Sequence, residues 1–530
     1  MKKLLFISSL ILSIQLFAGC SSNTEAAIVT LTEREEYHDT NIQSEIRSEI
    51  EVLTSENEYD LKDPLMVWNP YGTLSQGLYI YFDSTNASQL SYTIKVDGYS
   101  DFTRTMSTSQ ATSEVFSTKQ EHVLIGFIPE KENILTLTLT DEKGDKQQQV
   151  FTVTPPDVED DLPSSLEKVE GDSTSELTDG LYTMIGMLDT HTFLIDNDGV
   201  VRGDIRTSAY RMDRMVEYGD TLLFSNSRTQ IAKMNALGEL EEIYELDGYS
   251  LHHDLVLTDH DTLLILATET ANDSIEDVII ELDLITGEVT KVVDMTNVLG
   301  EYKAQTNTLT EDTSWTWMVG DWDWIHLNTI QFVNEDEVIL SSRETSAIIK
   351  LSDIYDEPTL DYIIGENDVW ADTTYKDQLL TQIGEFSNTG GQHSVTYEES
   401  EDLEEGQYYL YLYNNNSWIF DSNLDYTGAI PAGTGEFNSG EKSMYYEYLV
   451  DENAGTYELV QSFDLPYSSI VSNVQKLGDN LIINSGYEAK VIEEYDSTGS
   501  VIATFTYEPL ENVSFTYRGF KYTYQDFWFE

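Results

Sequence analysis

The feature that most constrains this chain is a unit that recurs from about residue 181 to the C-terminus. Each copy reads strand, tight turn, strand, gap, strand, turn, strand, with apolar residues alternating along the strands. Residues 215–246 form one copy, 252–295 a second, 326–365 a third, 393–464 a fourth with a longer insert, and 468–508 a fifth. A shorter copy, 192–206, comes first, and the terminal run 513–524 can complete it. One such unit cannot bury its apolar faces alone, so successive copies must stack, and six of them closing into a ring make a β-propeller. Joining the last strand to the first unit removes the open edge. Upstream, the short alternating runs 77–84, 90–99, 122–130, 133–141 and 147–156 lie between turn signals and predict a small antiparallel sandwich ending at Pro155 and Pro156. The expected fold class is therefore all-β: a six-bladed β-propeller over 179–530, carrying the chemistry, preceded by an N-terminal β-sandwich over 61–157.

The remaining segments are polar. Residues 21–60 are acidic and read as a solvated tether, partly helical between Glu33 and Val52, and 158–178 read as an acidic linker. Residues 1–20 have the form of a lipoprotein signal peptide. Lys2 and Lys3 precede the apolar run Leu4 to Phe17, and Ala18-Gly19-Cys20 supplies small residues at the cut. Cys20 would carry the lipid and become the mature N-terminus, which predicts an extracytoplasmic protein anchored to the bacterial cell membrane. Cys20 is the only cysteine, so no disulfide is expected and stability must come from packing and sheet closure.

Charge excludes whole classes of partner. With 28 Lys+Arg against 96 Asp+Glu, the formal net charge is −68. Such a field repels phosphate backbones, so nucleic acid is not a partner, and an anionic membrane can be met only through the lipid on Cys20. The run Asp196-Asn197-Asp198-Gly199 imitates part of a calcium loop but reads better as a hairpin turn.

The repeat gives the histidines a meaning. His252, His253, His326 and His393 open the first strand of three consecutive units. The first strand of each blade lines the central channel, so these side chains should meet at one mouth of it. Arg343 ends the second strand of the His326 unit, which places it beside His326; Asn414 and Asn415 hold the matching place beside His393. Asn328, two residues past His326, should share its strand face. Imidazoles, a guanidinium and amides converging in a protein short of positive charge make an anion pocket. The same histidines could instead bind a metal, although the arginine argues against a cation there. Trp315, Trp317, Trp322 and Trp324, just before His326, either pack a long inter-blade loop or wall a site for a flat ligand.

Residues 323–351 resemble the signature of bacterial aryl-sulfate sulfotransferases, which move a sulfuryl group without the nucleotide donor PAPS: a histidine, an asparagine two on, and an arginine at the end of the next strand. Residues 390–397, followed by 411–416, resemble the family motif with the transiently sulfated histidine, here His393; 252–266 resemble the strand carrying a third active-site histidine, best matched by His253, with His252 an extra. The resemblance reaches 69–77 and 516–520 and so covers about 60–530. A hydroxyl that lines the family's site falls at Val471, where Ser469 or Ser472 could substitute. The family's fold is a six-bladed propeller with a small N-terminal β domain.

The resemblance implies a ping-pong transfer from an aryl sulfate donor to a phenolic acceptor, with no cofactor and no metal. His393 would be the nucleophile, Arg343 and His326 would hold the sulfuryl oxygens, and His253 would be the acid and base. Asn328, His252 and Asn415 would contact substrate. The family includes dimers, so a homodimer is compatible. The competing readings are a non-catalytic surface lipoprotein whose propeller binds an anionic aromatic ligand and, more weakly, a sulfatase passing the group to water.

Overall fold

The computed structural model describes residues 24–530, apart from 33, 35, 157–164, 187–189, 312–317, 419, 424, 436–439 and 508–514. Cys20 and the signal segment lie outside the described residues. Among the described residues no helix is long and apolar enough to cross a membrane.

The N-terminal domain is organised by one long strand, Leu78–Lys95. Its first half pairs with Leu65–Trp68 and Ser117–Leu124, and its second half with Asn133–Asp141 and Phe102–Thr105, so a single strand serves both leaves. Alternation sets its core: along Asn133–Asp141, Leu135, Leu137 and Leu139 are buried while Thr136 and Thr138 face outward.

The acidic stretch expected as a tether is folded from Thr24 onward. Two short strands, Thr24–Glu25 and Ile28–Val29, add to the sandwich sheet, and Thr40–Glu56 forms a helix capped by Asp39. Gln43, Ile46 and Ile50 fall on one face of that helix and are buried. Gln43 donates to the Tyr71 carbonyl (2.9 Å) and accepts from the Leu240 backbone N–H (3.0 Å), which ties sandwich to propeller. The charges that suggested a solvated segment lie mostly on the outer face. The described part of the acidic linker is also used: Glu167–Glu170 pairs with Val501–Thr506 as a fifth strand of the last blade.

Residues from Leu181 onward form six sheets arranged as a propeller. Blade 1 joins both ends of the domain. Its strands Leu181–Gly186, His191–Ile195 and Val201–Arg206 are completed by Thr516–Tyr522, which pairs with Leu181–Gly186. Blades 2, 3 and 4 begin with Met215–Tyr218, Tyr249–Leu257 and Leu327–Asn334, and blades 5 and 6 with His393–Glu398 and Asn473–Leu477. A buried ion pair, Lys521 with Glu494 at 2.8 Å, crosses the seam where the ring closes. The Asp196 turn is a hairpin: Asp196 accepts from the Asp198 and Val200 backbone N–H groups and from Arg202, which uses up its carboxylate.

Candidate active site

At the start of the inner strands the backbone repeatedly enters the left-handed region. Asp213, His253, His326, Ser394 and Val471 have φ of 45°, 61°, 47°, 57° and 55°. Non-glycine residues adopt this conformation at a cost, and a β-branched valine does so rarely. Each departure breaks the two-residue alternation of the strand and re-aims side chains at the mouth of the channel.

The result is a cavity of about 300 Å³ lined by His252, His253, His326, Arg343 and His393 together with Glu276. The imidazoles of three consecutive blades and the guanidinium therefore do converge. Arg343 sits beside His326 as strand pairing required, its backbone N–H donating to the His326 carbonyl at 3.1 Å.

Each ring has a distinct environment. His393 Nδ1 lies 3.0 Å from the Gly391 carbonyl and 2.9 Å from Asn415 Oδ1. Asn415 is oriented by its own amide, which donates to the carbonyls of Ser468 (2.8 Å) and Val471 (3.1 Å). Both neighbours of Nδ1 are thus acceptors, so Nδ1 carries the proton and Nε2 the lone pair. Burial, reinforced by nearby cations, pushes His393 down to about 3, so the ring is neutral.

His326 is the opposite case. Its Nδ1 lies 2.6 Å from Asp323 Oδ2 and 2.7 Å from Glu276 Oε2. Burial and Arg343 work against its charge, but the two carboxylates prevail and raise it to about 9. Arg343 Nη2 shares the same Asp323 oxygen at 3.1 Å. The second acid near Arg343, Glu344 at 3.8 Å, is pushed up to about 8 by burial and is no match for Asp323 as a counter-charge. His253, expected as the acid, is held neutral, pushed well below its ordinary value chiefly by burial. Its Nδ1 lies 2.8 Å from that of His252, so one proton is shared between them, and both rings line the cavity.

Two expected substrate contacts are corrected. Asn328 is fully buried and donates to the Gln392 carbonyl at 2.8 Å, bracing the residue before His393. The register slips between Leu327 and Thr329, so the two-residue rule that placed Asn328 beside His326 fails there. Asn415 orients His393 rather than lining the cavity. The hydroxyl sought near Val471 is absent from the wall: Val471 lines it, Ser472 donates to Ser468 (2.9 Å), and Ser469 to Glu488 (2.7 Å).

Sequence reasoning missed Glu276, Asp323 and the aromatic wall. Tyr210, Tyr487, Phe515 and Tyr517 face the cavity. Arg211 stacks at 3.7 Å on Tyr517, and Arg228 at 4.3 Å on Tyr210, which keeps this wall both flat and positive. Tyr517 and the buried Arg518 belong to the terminal run that completes blade 1, and the resemblance over 516–520 marks the same segment. Trp322 and Trp324 are packing residues, hydrogen-bonded to Thr306 and Asp277; Trp315 and Trp317 lie outside the described residues.

Two triplets, His252–His253–Glu276 and Glu276–Asp323–His326, bring potential ligand atoms within 4.8 Å of one another. The arrangement is better accounted for without a cation: the 2.6 and 2.7 Å contacts to His326 are charge-assisted hydrogen-bond distances, and Arg343 already sits on the same carboxylate.

The family model described as arylsulfotransferase (ASST) matches residues 166–524, and that of the arylsulfotransferase Ig-like domain matches 65–156. No curated protein matches the chain. Similar solved structures include a putative 6-phosphogluconolactonase from Bacteroides fragilis, 12% identical, covering 83% of this chain and 99% of that one with a TM-score of 0.35. A functionally unknown protein from Desulfotomaculum acetoxidans is 9% identical, covering 73% and 95%, TM-score 0.34. Sqt1 from Saccharomyces cerevisiae is 11% identical, covering 65% and 88%, TM-score 0.32. Likenesses this distant carry no argument about the present chain.

Proposed function

Because the chain belongs to the arylsulfotransferase family, we propose that it moves a sulfuryl group from an aryl sulfate to a phenol in two steps through His393. The observation that carries this reading is the fixed tautomer of His393. With Nδ1–H held by Gly391 and Asn415, the Nε2 lone pair is the nucleophile, and a neutral ring needs no deprotonation before attack.

In the first step Nε2 bonds to sulfur while the sulfur–aryl oxygen bond breaks, and the phenol leaves with a proton taken from the site. In the second, an acceptor phenol attacks the sulfohistidine, gives its proton back, and frees His393. Charge on the sulfuryl oxygens is met by the guanidinium of Arg343 and the imidazolium of His326, both fixed in place beforehand by Asp323. The aryl group lies against the wall of Tyr210, Tyr487, Phe515 and Tyr517. We further propose that the protein works outside the cytoplasm on a lipid anchor at Cys20, where PAPS is not available. Replacing Cys20 with Ser and finding the protein still in the membrane fraction would oppose this.

The test uses purified protein with p-nitrophenyl sulfate, with and without a second phenol. Release of nitrophenol that depends on the acceptor, together with one sulfuryl group recovered on the His393 peptide after donor alone, is the expected result. Transfer at the wild-type rate by His393→Asn overturns the nucleophile. Release that ignores the acceptor makes the protein a sulfatase, and binding without release makes it a receptor for anionic aromatics.

A further inference from the structure

The two-step route leaves one question of chemistry open: where the proton for the departing phenol is kept. We propose that it is kept on His326, and that Glu276 is the positioning residue that holds it there for delivery. This rests on the sulfuryl-transfer reading above.

Glu276 lies in the loop between the second and third strands of blade 3, Thr262–Glu269 and Val278–Asp283, with its backbone in the left-handed region at φ 58°. Its backbone carbonyl accepts from the Leu327 N–H at 3.2 Å, which fixes it against the start of that blade. Its Oε2 is 2.7 Å from His326 Nδ1 and 3.8 Å from His253 Nδ1, and the two rings are 4.7 Å apart, edge to face. All three line the same cavity. Asp323 makes the second contact to the same His326 nitrogen. The Nδ1–H of His326 is thus hydrogen-bonded to Asp323, and Glu276 adds a short ion-pair contact to the same nitrogen. Its other ring nitrogen, Nε2, has no hydrogen-bond partner among the described residues, so an N–H there is the one available to a ligand.

The proton then moves without any outside reactant. As the sulfur–oxygen bond breaks, Nε2–H passes to the aryl oxygen, and His326 is left neutral with Nδ1–H still on Asp323. The acceptor phenol returns a proton to Nε2 when its oxygen attacks sulfur. A phenol hydroxyl has an ordinary pKa of about 10, and His326 stands at about 9, a close match for proton exchange in both directions. Glu276 itself stays ionised: burial opposes its charge, but the His326 imidazolium beside it holds it well below the carboxylate range. The other charged groups around His326 are Asp323, Arg343 and, further off, His393; His253 and His252 are neutral by burial.

The test is Glu276→Gln, which keeps the shape and removes the charge, assayed with a series of aryl sulfates whose phenols range from strongly acidic (p-nitrophenol) to weakly acidic (phenol). A good leaving group needs little proton delivery and a poor one depends on it. The expected result is a loss of about 100-fold or more on phenyl sulfate, in line with general acid catalysis, against less than about 10-fold on p-nitrophenyl sulfate. The alkaline limb of the phenyl sulfate pH profile should also move to lower pH, because His326 loses one of the two carboxylates that raise it. An equal loss on every donor, or none, with the alkaline limb unmoved, overturns the inference. If Glu276→Gln does not fold, Glu276→Asp is judged by the same donor series, since a shorter carboxylate cannot reach His326 and should steepen the dependence in the same sense. If the wild-type protein transfers from no donor, the sulfuryl-transfer reading falls and takes this inference with it; if it does and only the donor dependence is flat, Glu276 alone falls.

Discussion

Replacing Asp323 by Asn tests the electrostatics on which the site is built. Asp323 is fully buried, and one of its oxygens accepts from both His326 Nδ1 (2.6 Å) and Arg343 Nη2 (3.1 Å). Asn can keep both hydrogen bonds through its carbonyl oxygen but removes the charge between two buried cations. His326 is raised from 6.5 to about 9. At 1.36 kcal/mol per unit this is about 3 kcal/mol of preference for the protonated ring, provided by Asp323 and Glu276 together. A group whose folded pKa is raised adds stability that is complete below its unfolded value and is lost as pH rises through its folded value. The wild-type protein should therefore lose stability between pH 6.5 and about 9 from this source. Asp323→Asn should be less stable at pH 6.5, by an amount on the order of the 3–5 kcal/mol seen when a buried pair loses one partner. Its deficit should shrink as the pH approaches 9, because a neutral His326 no longer misses the carboxylate. Melting temperatures at fixed ionic strength from pH 6 to 9.5 measure this. A deficit that is constant across that range, or absent, would refute the reasoning.

Three further outcomes follow from the same physics. Arg343→Lys keeps a charge but loses the planar fork that can hold Asp323 and a sulfuryl oxygen together, so kcat should fall about 100–1000-fold, the cost of losing a charge-stabilising donor; a kcat within a few-fold of wild type would remove Arg343 from the chemistry. His122, buried in the sandwich with Nε2 3.0 Å from Gln120 Oε1, is pushed down to about 3 by burial. Its contribution is complete above pH 6.5 and lost as pH falls toward 3, so the melting temperature of His122→Phe should drop less steeply between pH 6.5 and 4 than that of wild type, and parallel curves would contradict this. Lys521→Met strands the buried Glu494 carboxylate at the ring closure and should destabilise by about 3–5 kcal/mol, with partial recovery in the double variant that also carries Glu494→Gln; a loss under about 1 kcal/mol in denaturant titration would mean the seam does not depend on this pair.

The repeat of strands and turns was legible because side-chain alternation is a local property, read directly from residue spacing. From it followed the blade count, the closure of blade 1 by the terminal strand, and the convergence of His253, His326 and His393 with Arg343 at one mouth. The helix Thr40–Glu56 was harder to read: its buried face consists of Gln43, Ile46 and Ile50, hidden among charges, and has meaning only against the Leu240 strand it covers. Glu276 lies in the connection between the second and third strands of blade 3, and Asp323 in the connection from blade 3 to blade 4, where no period marks them; the chain turns left-handed at Glu276 and at His326, where these groups meet. The same backbone departures moved Asn328 behind the wall and brought Val471 into it.

The sequence alone thus determined that the histidines and Arg343 would meet, since strand register carries a residue's place around the ring. Only the tertiary structure decided what state each group is in. Three similar imidazoles become two neutral rings and a protonated one because charge depends on burial and on the carboxylates and amides that the folded chain places within 3 Å of a nitrogen, and no spacing along the chain encodes those distances.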